Sequence, residues 1–130
     1  MNHRMSGFLR MVPLAAAMGT IFLLSHQPGN RLSLPPFPGI DKIGHMMIYG
    51  TLAGTAILAF SARLKDTRPQ RVMFLTVAFC LLYGISDEFH QSFIPGRSAS
   101  VLDVVADCGG AAMVSFFWAR RRRRFSLLRC

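Results

Sequence analysis

The stretch Tyr83–Gly110, YGISDEFHQSFIPGRSASVLDVVADCGG, decides how the chain must be read. The chain has only six acidic residues, and four of them, Asp87, Glu88, Asp103 and Asp107, stand here inside or at the mouths of apolar runs. A carboxylate at the centre of a bilayer costs about 2.5–3.5 kcal/mol on insertion scales, so such groups persist near the interface, in pairs, or against a wet cavity. Between the two acidic pairs, Ile94-Pro95-Gly96-Arg97 fits a type II turn, with proline second and glycine third. A connection this short predicts two antiparallel neighbouring helices, one running from Val72 to Phe89 and one from about Ser98 to Ala119. Helical spacing puts Tyr83, Asp87 and Gln91 on one face, with His90 beside that line, and Ser100, Asp103 and Asp107 on one face of the next helix. Past them, Gly109, Gly110, Ala111 and Ala112 leave room for close packing.

Working towards the N-terminus, Arg63–Arg71 (RLKDTRPQR) is predicted to be a short basic connector with no helix crossing it. Before it, Asp41–Ala62 is about the length a spanning helix needs and carries its polar residues at one end. Asp41, His45 and Tyr49 stack on one face there, with Lys42 alongside, and Gly50 with Gly54 makes a small-xxx-small pair suited to a close neighbour. The segment His26–Ile40 has four prolines and is predicted to be an extended loop outside the bilayer core, with His26 needing no role. Phe8–Ser25 is apolar apart from Arg10, and no small-residue cleavage site follows it, so it is expected to remain as a first spanning helix.

Composition agrees with a membrane protein. The chain has 130 residues, 52% hydrophobic and only 16% charged, which is too apolar for an ordinary soluble domain of that size. Its formal charge of +9 does not point to nucleic acid, because the cations sit between apolar runs with no accompanying aromatic signature. They read instead as topology signals. Twelve of the fifteen basic residues, at Arg4, Arg10, Arg63–Arg71, Arg120–Arg124 and Arg129, fall on one side, and only Arg31, Lys42 and Arg97 on the other. The expected fold is all-α, a four-transmembrane-helix bundle with both termini cytoplasmic, a single domain over residues 1–130 ending in a basic tail at 120–130, with Trp118 as an interfacial anchor. The basic tail would also attract anionic lipid headgroups. Of three cysteines, Cys80 and Cys108 read as packed hydrophobes and Cys130 as a free terminal thiol.

On this topology Asp41, Asp87, Glu88, Asp103 and Asp107 all reach the outer rim, with His45, His90, Tyr49, Lys42 and Arg97. Mutual pairing explains them in the plainest way, with Arg97 or Lys42 neutralising Asp103 or Asp87 in an interhelical polar lock. A catalytic site would use His45 or His90 as base, an orienting Asp87 or Asp103, and Glu88 as a further candidate acid. Lys42 and Arg97 would then grip a phosphate, with Asp41, Tyr49, Gln91 and Asp107 lining the substrate. The ligand types also admit a divalent metal, although neither an HExxH nor a CxxC spacing is present and no metal residue is assigned. A small transporter or proton relay, working as an oligomer, is a third reading.

Two blocks resemble the VanZ-like family of small bacterial membrane proteins. The first is Asp41-Lys42-x-x-His45-x-x-x-Tyr49; the second is Asp87-Glu88-x-His90-Gln91-x-Phe93-x-Pro95-Gly96-Arg97, followed by Asp103 and Asp107 ahead of glycines. Together they span about residues 41–112. The resemblance implies a four-helix integral protein of the bacterial envelope, in a family named for a member that raises resistance to teicoplanin-type glycopeptide antibiotics. The expected partners are membrane lipids and a lipid-linked cell-wall precursor.

Overall fold

Peptide groups in an apolar run have no water to bond, so they must satisfy one another, and the apolar segments of this chain form helices. The computed structural model describes residues 7–29 and 37–127, with side chains through Arg124. Expectations that rest on His3, Arg4, Arg31, Pro35, Pro36, Arg129 and Cys130 lie outside the described residues. There are five helices, α1 (Gly7–Ser25), α2 (Ile40–Ala59), α3 (Ala62–Thr67), α4 (Pro69–Gln91) and α5 (Val101–Leu127), and no strand among the described residues.

Two boundaries differ from the sequence reading. The connector after α2 is itself helical: Ser61 accepts a hydrogen bond from the Leu64 amide at 3.3 Å and caps α3. Pro69 then occupies the first turn of α4, where its missing N–H costs nothing, so α4 begins three residues before Val72. At the other end, α5 runs through the arginine block. Its 27 residues span about 40 Å, longer than the roughly 30 Å of hydrocarbon in a bilayer, so the arginine extension has length to stand clear of it.

Among the described residues three helices, not four, are long and apolar enough to cross a membrane, namely α1, α4 and α5 over its first 24 residues. Asp41, Lys42 and His45 keep the 20-residue α2 out of that set. Its position explains how it tolerates them: α2 packs against α1, α4 and α5, and its Tyr49, Leu52, Ala53 and Ala56 lie in the core with Leu14, Ile21, Cys80 and Ala111. Outward, the helices present large apolar side chains, among them Phe22, Leu23, Phe74, Leu82, Phe89, Val105, Phe116 and Phe117, each at least half exposed. An apolar exterior on this scale is what a lipid solvent permits and water does not.

The closest helix crossing is between α2 and α5. A Cβ on Gly110 would run into the backbone of Met46, and one on Gly50 would meet the Val114 side chain at 3.2 Å. Gly54, the other half of the small-residue pair, faces open space, so only Gly50 serves the crossing. The α4–α5 connection is the expected turn: Gly96 has φ 75° and the Arg97 amide donates to the Ile94 carbonyl at 3.1 Å. Gly29, just after α1, donates to the Pro95 carbonyl at 3.2 Å and lies so close to Gly96 that a Cβ at Gly29 would run into the Gly96 carbonyl.

The bundle thus has two unlike ends. At one, Arg122 of α5 pairs with Asp66 of α3 at 2.6 Å and lies 6.0 Å from the centre of the Trp118 ring. Lys65 is held below the usual lysine range there, first by burial and then by the neighbouring charges of Arg10 and Arg122. At the other, the end of α1, the start of α2, the end of α4 and the start of α5 come together.

Candidate functional site

Where those four helix ends meet, they enclose a cavity of about 430 Å³. Asp41, His45 and Tyr49 line it from α2, Asp87 and Gln91 from α4, Arg97 from the turn and Asp103 from α5. Ile21 and Leu24 of α1 and Ile48 of α2 add apolar surface to the same lining. Helical phase explains the polar wall, since residues four apart on α2 and on α4 project to the same side.

The charges are paired across helices. Lys42 bridges Asp41 at 2.5 Å and, in a shorter contact, Asp103 of α5. His45 Nδ1 shares a hydrogen bond of 2.9 Å with Asp107 Oδ1, and the Asp107 side chain has no solvent exposure. Gln91 donates to Asp87 Oδ2 at 2.9 Å and reaches the Ser25 hydroxyl of α1 at 3.4 Å. Glu88 Oε2 accepts the Ser100 amide at 2.8 Å, satisfying one of the N–H groups left free at the start of α5. Tyr83 turns away from the cavity and donates to the Met18 carbonyl of α1 at 2.7 Å.

Several buried atoms in this cluster are left without a partner, namely the Tyr49 hydroxyl, Glu88 Oε1, Asp107 Oδ2 and Arg97 Nε. Buried polar atoms are nearly always satisfied, so orphans gathered in one place call for an explanation. Arg97 has no ion-pair partner among the described residues.

The cluster therefore has layers. The cavity wall holds Asp41, His45, Tyr49, Asp87, Gln91, Arg97 and Asp103. Lys42, Glu88 and Asp107 stand outside that lining and bond to helix ends or to wall residues. His90 belongs to neither group. It stacks on Phe22 with ring centres 4.9 Å apart and on His26 at 5.4 Å, and its Nε2 lies 3.3 Å from His26 Nδ1. The expectation that His26 has no role is corrected by this stack, which ties α1 to α4.

Ser25, His26 and Gly29 are the parts of the site that spacing did not single out, whereas Ser100 falls on the polar face that spacing assigned to the start of α5. Ser25 offered a signal, a polar residue closing an apolar run, and it is 3% exposed against Gln91. His26 and Gly29 offered none, because their roles depend on where the end of α1 lands on α4 and on the turn after it.

No curated protein and no solved structure matches the chain. A family model does, over residues 3–122, nearly the whole length and including every residue of the cavity wall. With three apolar helices of spanning length and this match, the chain is a membrane-type helical protein that belongs to the VanZ/LLP1 family.

Proposed function

We propose that the chain is a multi-pass protein of the bacterial cytoplasmic membrane, with α1, α2, α4 and α5 all spanning and both termini inside, and that its cavity binds or modifies a lipid-linked or cell-wall-related molecule at the outer face. The observation that carries this reading is the mixed lining of the cavity. It combines polar groups, among them the Arg97 guanidinium, which has no ion-pair partner among the described residues, with the apolar side chains of Ile21, Leu24 and Ile48. An amphiphile with an anionic head would place its head on the first and the start of its chain on the second. The arrangement of the basic residues supports the orientation, because Arg10, Lys65 and Arg122 gather at the end opposite the cavity.

His45, oriented by Asp107, is the best-placed general base on the wall, and Asp87, held by Gln91, is the second acid–base group. The test compares lipid-linked cell-wall precursors, and teicoplanin susceptibility, in a deletion strain complemented with the parent chain, with Arg97→Gln or with Asp87→Asn, at matched amounts in the membrane. Either substitution should reproduce the deletion profile. Full complementation by both would overturn the reading.

A second reading has its own observation. His45–Asp107 and Lys42–Asp103 both join α2 to α5, as an interhelical lock in a scaffold or partner subunit would. It predicts that Arg97→Gln, which breaks no pair, has no effect at all.

A further inference from the structure

Beneath the cavity wall, three helices bring together one imidazole and two carboxylates: His45 from α2, Glu88 from α4 and Asp107 from α5. Each offers a ligand atom, and the three atoms lie within 4.8 Å of one another. We propose that His45, Glu88 and Asp107 hold one divalent first-row metal ion at the floor of the cavity. The proposal concerns the same site as the lipid-linked reading but does not depend on that substrate.

Charge is the first argument. Asp107 is fully buried and Glu88 is 5% exposed, and among the described residues the His45 imidazole on Asp107 is the only ion-pair partner that either of them has. Lys42 is committed to Asp41 and Asp103, and Arg97 pairs with no carboxylate among the described residues. Two buried carboxylates with one shared imidazole form an undercompensated site in a low-dielectric bundle, and a dication balances them.

Unused valence is the second. Glu88 Oε1 and Asp107 Oδ2 have no hydrogen-bond partner, although each residue's other oxygen is engaged, by the Ser100 amide and by His45 respectively. Glu88 is held as metal-binding carboxylates usually are, one oxygen fixed by an outer partner and one left for the ion, while Asp107 meets its co-ligand His45 directly. The Tyr49 hydroxyl is also unpartnered, and its ring and Asp107 Oδ2 both border Gly84, where an added Cβ would lie 3.0 Å from that oxygen and 3.4 Å from the ring. A side chain at Gly84 would push the carboxylate away from the site.

Geometry is the third. Ligand atoms on one tetrahedral ion with bonds of about 2.1 Å lie about 3.4 Å apart, so atoms now within 4.8 Å of one another must close by up to about 1.4 Å, a shift that turning the Glu88 side chain can supply. Three protein ligands leave a coordination position open, and His45 sits on the cavity wall, so that position faces the cavity. One nitrogen and two oxygens favour Zn2+ and Mn2+ over Mg2+, which resists losing its water.

The experiment uses the full chain purified in detergent, stripped with chelator, then titrated with Zn2+, Mn2+ or Mg2+ by calorimetry, with metal content measured after dialysis. One Zn2+ per chain is expected, with Mn2+ weaker and Mg2+ failing to compete. Glu88→Gln and Asp107→Asn, which keep shape and remove charge, should each weaken binding at least about 10-fold, the smallest loss typical even of an outer-shell partner. Asp66→Asn, at the opposite end of the bundle, should leave it unchanged. Absence of stoichiometric binding, or binding indifferent to Glu88→Gln, overturns the proposal; Glu88→Gln decides the matter should Asp107→Asn not fold. Loss of the metal site with intact precursor phenotypes in cells would leave the lipid-linked reading standing, and the reverse pattern would remove that reading alone.

Discussion

Both ends of the bundle are rich in charge, yet the two use it differently. At the basic end Arg122 and Asp66 form a close pair at 2.6 Å with side chains 45% and 59% exposed, and water and salt share the work of solvating them. At the cavity end His45 and Asp107 meet at a similar distance of 2.9 Å, but Asp107 has no exposure and its second oxygen has no partner. The lesson is that distance does not rank ion pairs; the solvent removed from around them does. One end is a solvated anchor, and the other is a set of groups fixed in place with binding capacity to spare.

The sharpest way to break that contrast is Asp107→Ala. Removing one partner of a buried pair leaves the other uncompensated, so a loss of about 3–5 kcal/mol of stability in detergent is expected, together with poor accumulation in membranes. Chemical unfolding of the purified chain measures it. A loss no greater than that of Asp66→Ala would mean that the cavity end is wet throughout and the two ends are alike.

The next effect concerns the crossing that holds the cavity together. Gly110→Ala places a methyl against the Met46 backbone, which cannot retreat without moving α2, and should cost about 1–3 kcal/mol. Gly54→Ala, on the same small-residue pattern but facing open space, should be neutral or stabilising by up to about 1 kcal/mol, since alanine is the better helix former. Equal effects at the two positions would show that the crossing is looser than these contacts require.

Those glycines also show how far the chain can be read before it is folded. Apolar run length and the Pro95-Gly96 turn were enough to place α1, α2, α4, α5 and the α4–α5 hairpin, and residue spacing was enough to place Asp41, His45 and Tyr49 on one face. Spacing within a helix says nothing of how that helix is rotated against its neighbours. Gly50 and Gly54 look equivalent for that reason, and so do His45 and His90, although one faces Asp107 and the other stacks on Phe22 and His26. The trio of His45, Glu88 and Asp107 has no spacing signature because each member comes from a different helix. The short α3 escaped because its polar composition resembles a loop and its cap, Ser61, is a single residue.

The smallest expected effect tests the solvated end. Asp66→Ala removes the partner of Arg122, but the arginine keeps its place over Trp118 and its access to water, so the loss should be about 0.2–1 kcal/mol at low salt. Raising the salt to about 1 M shortens the screening length to about 3 Å and should erase the difference between parent and variant. Lys42→Met run in parallel gives the contrast its control, because it strips the cation from Asp41 and from Asp103, whose side chain is only 11% exposed. A cost that survives high salt for Lys42→Met and vanishes for Asp66→Ala is what burial demands. If both vanish together, the carboxylates at the cavity end are screened by solvent, and the metal site loses the charge imbalance on which it rests.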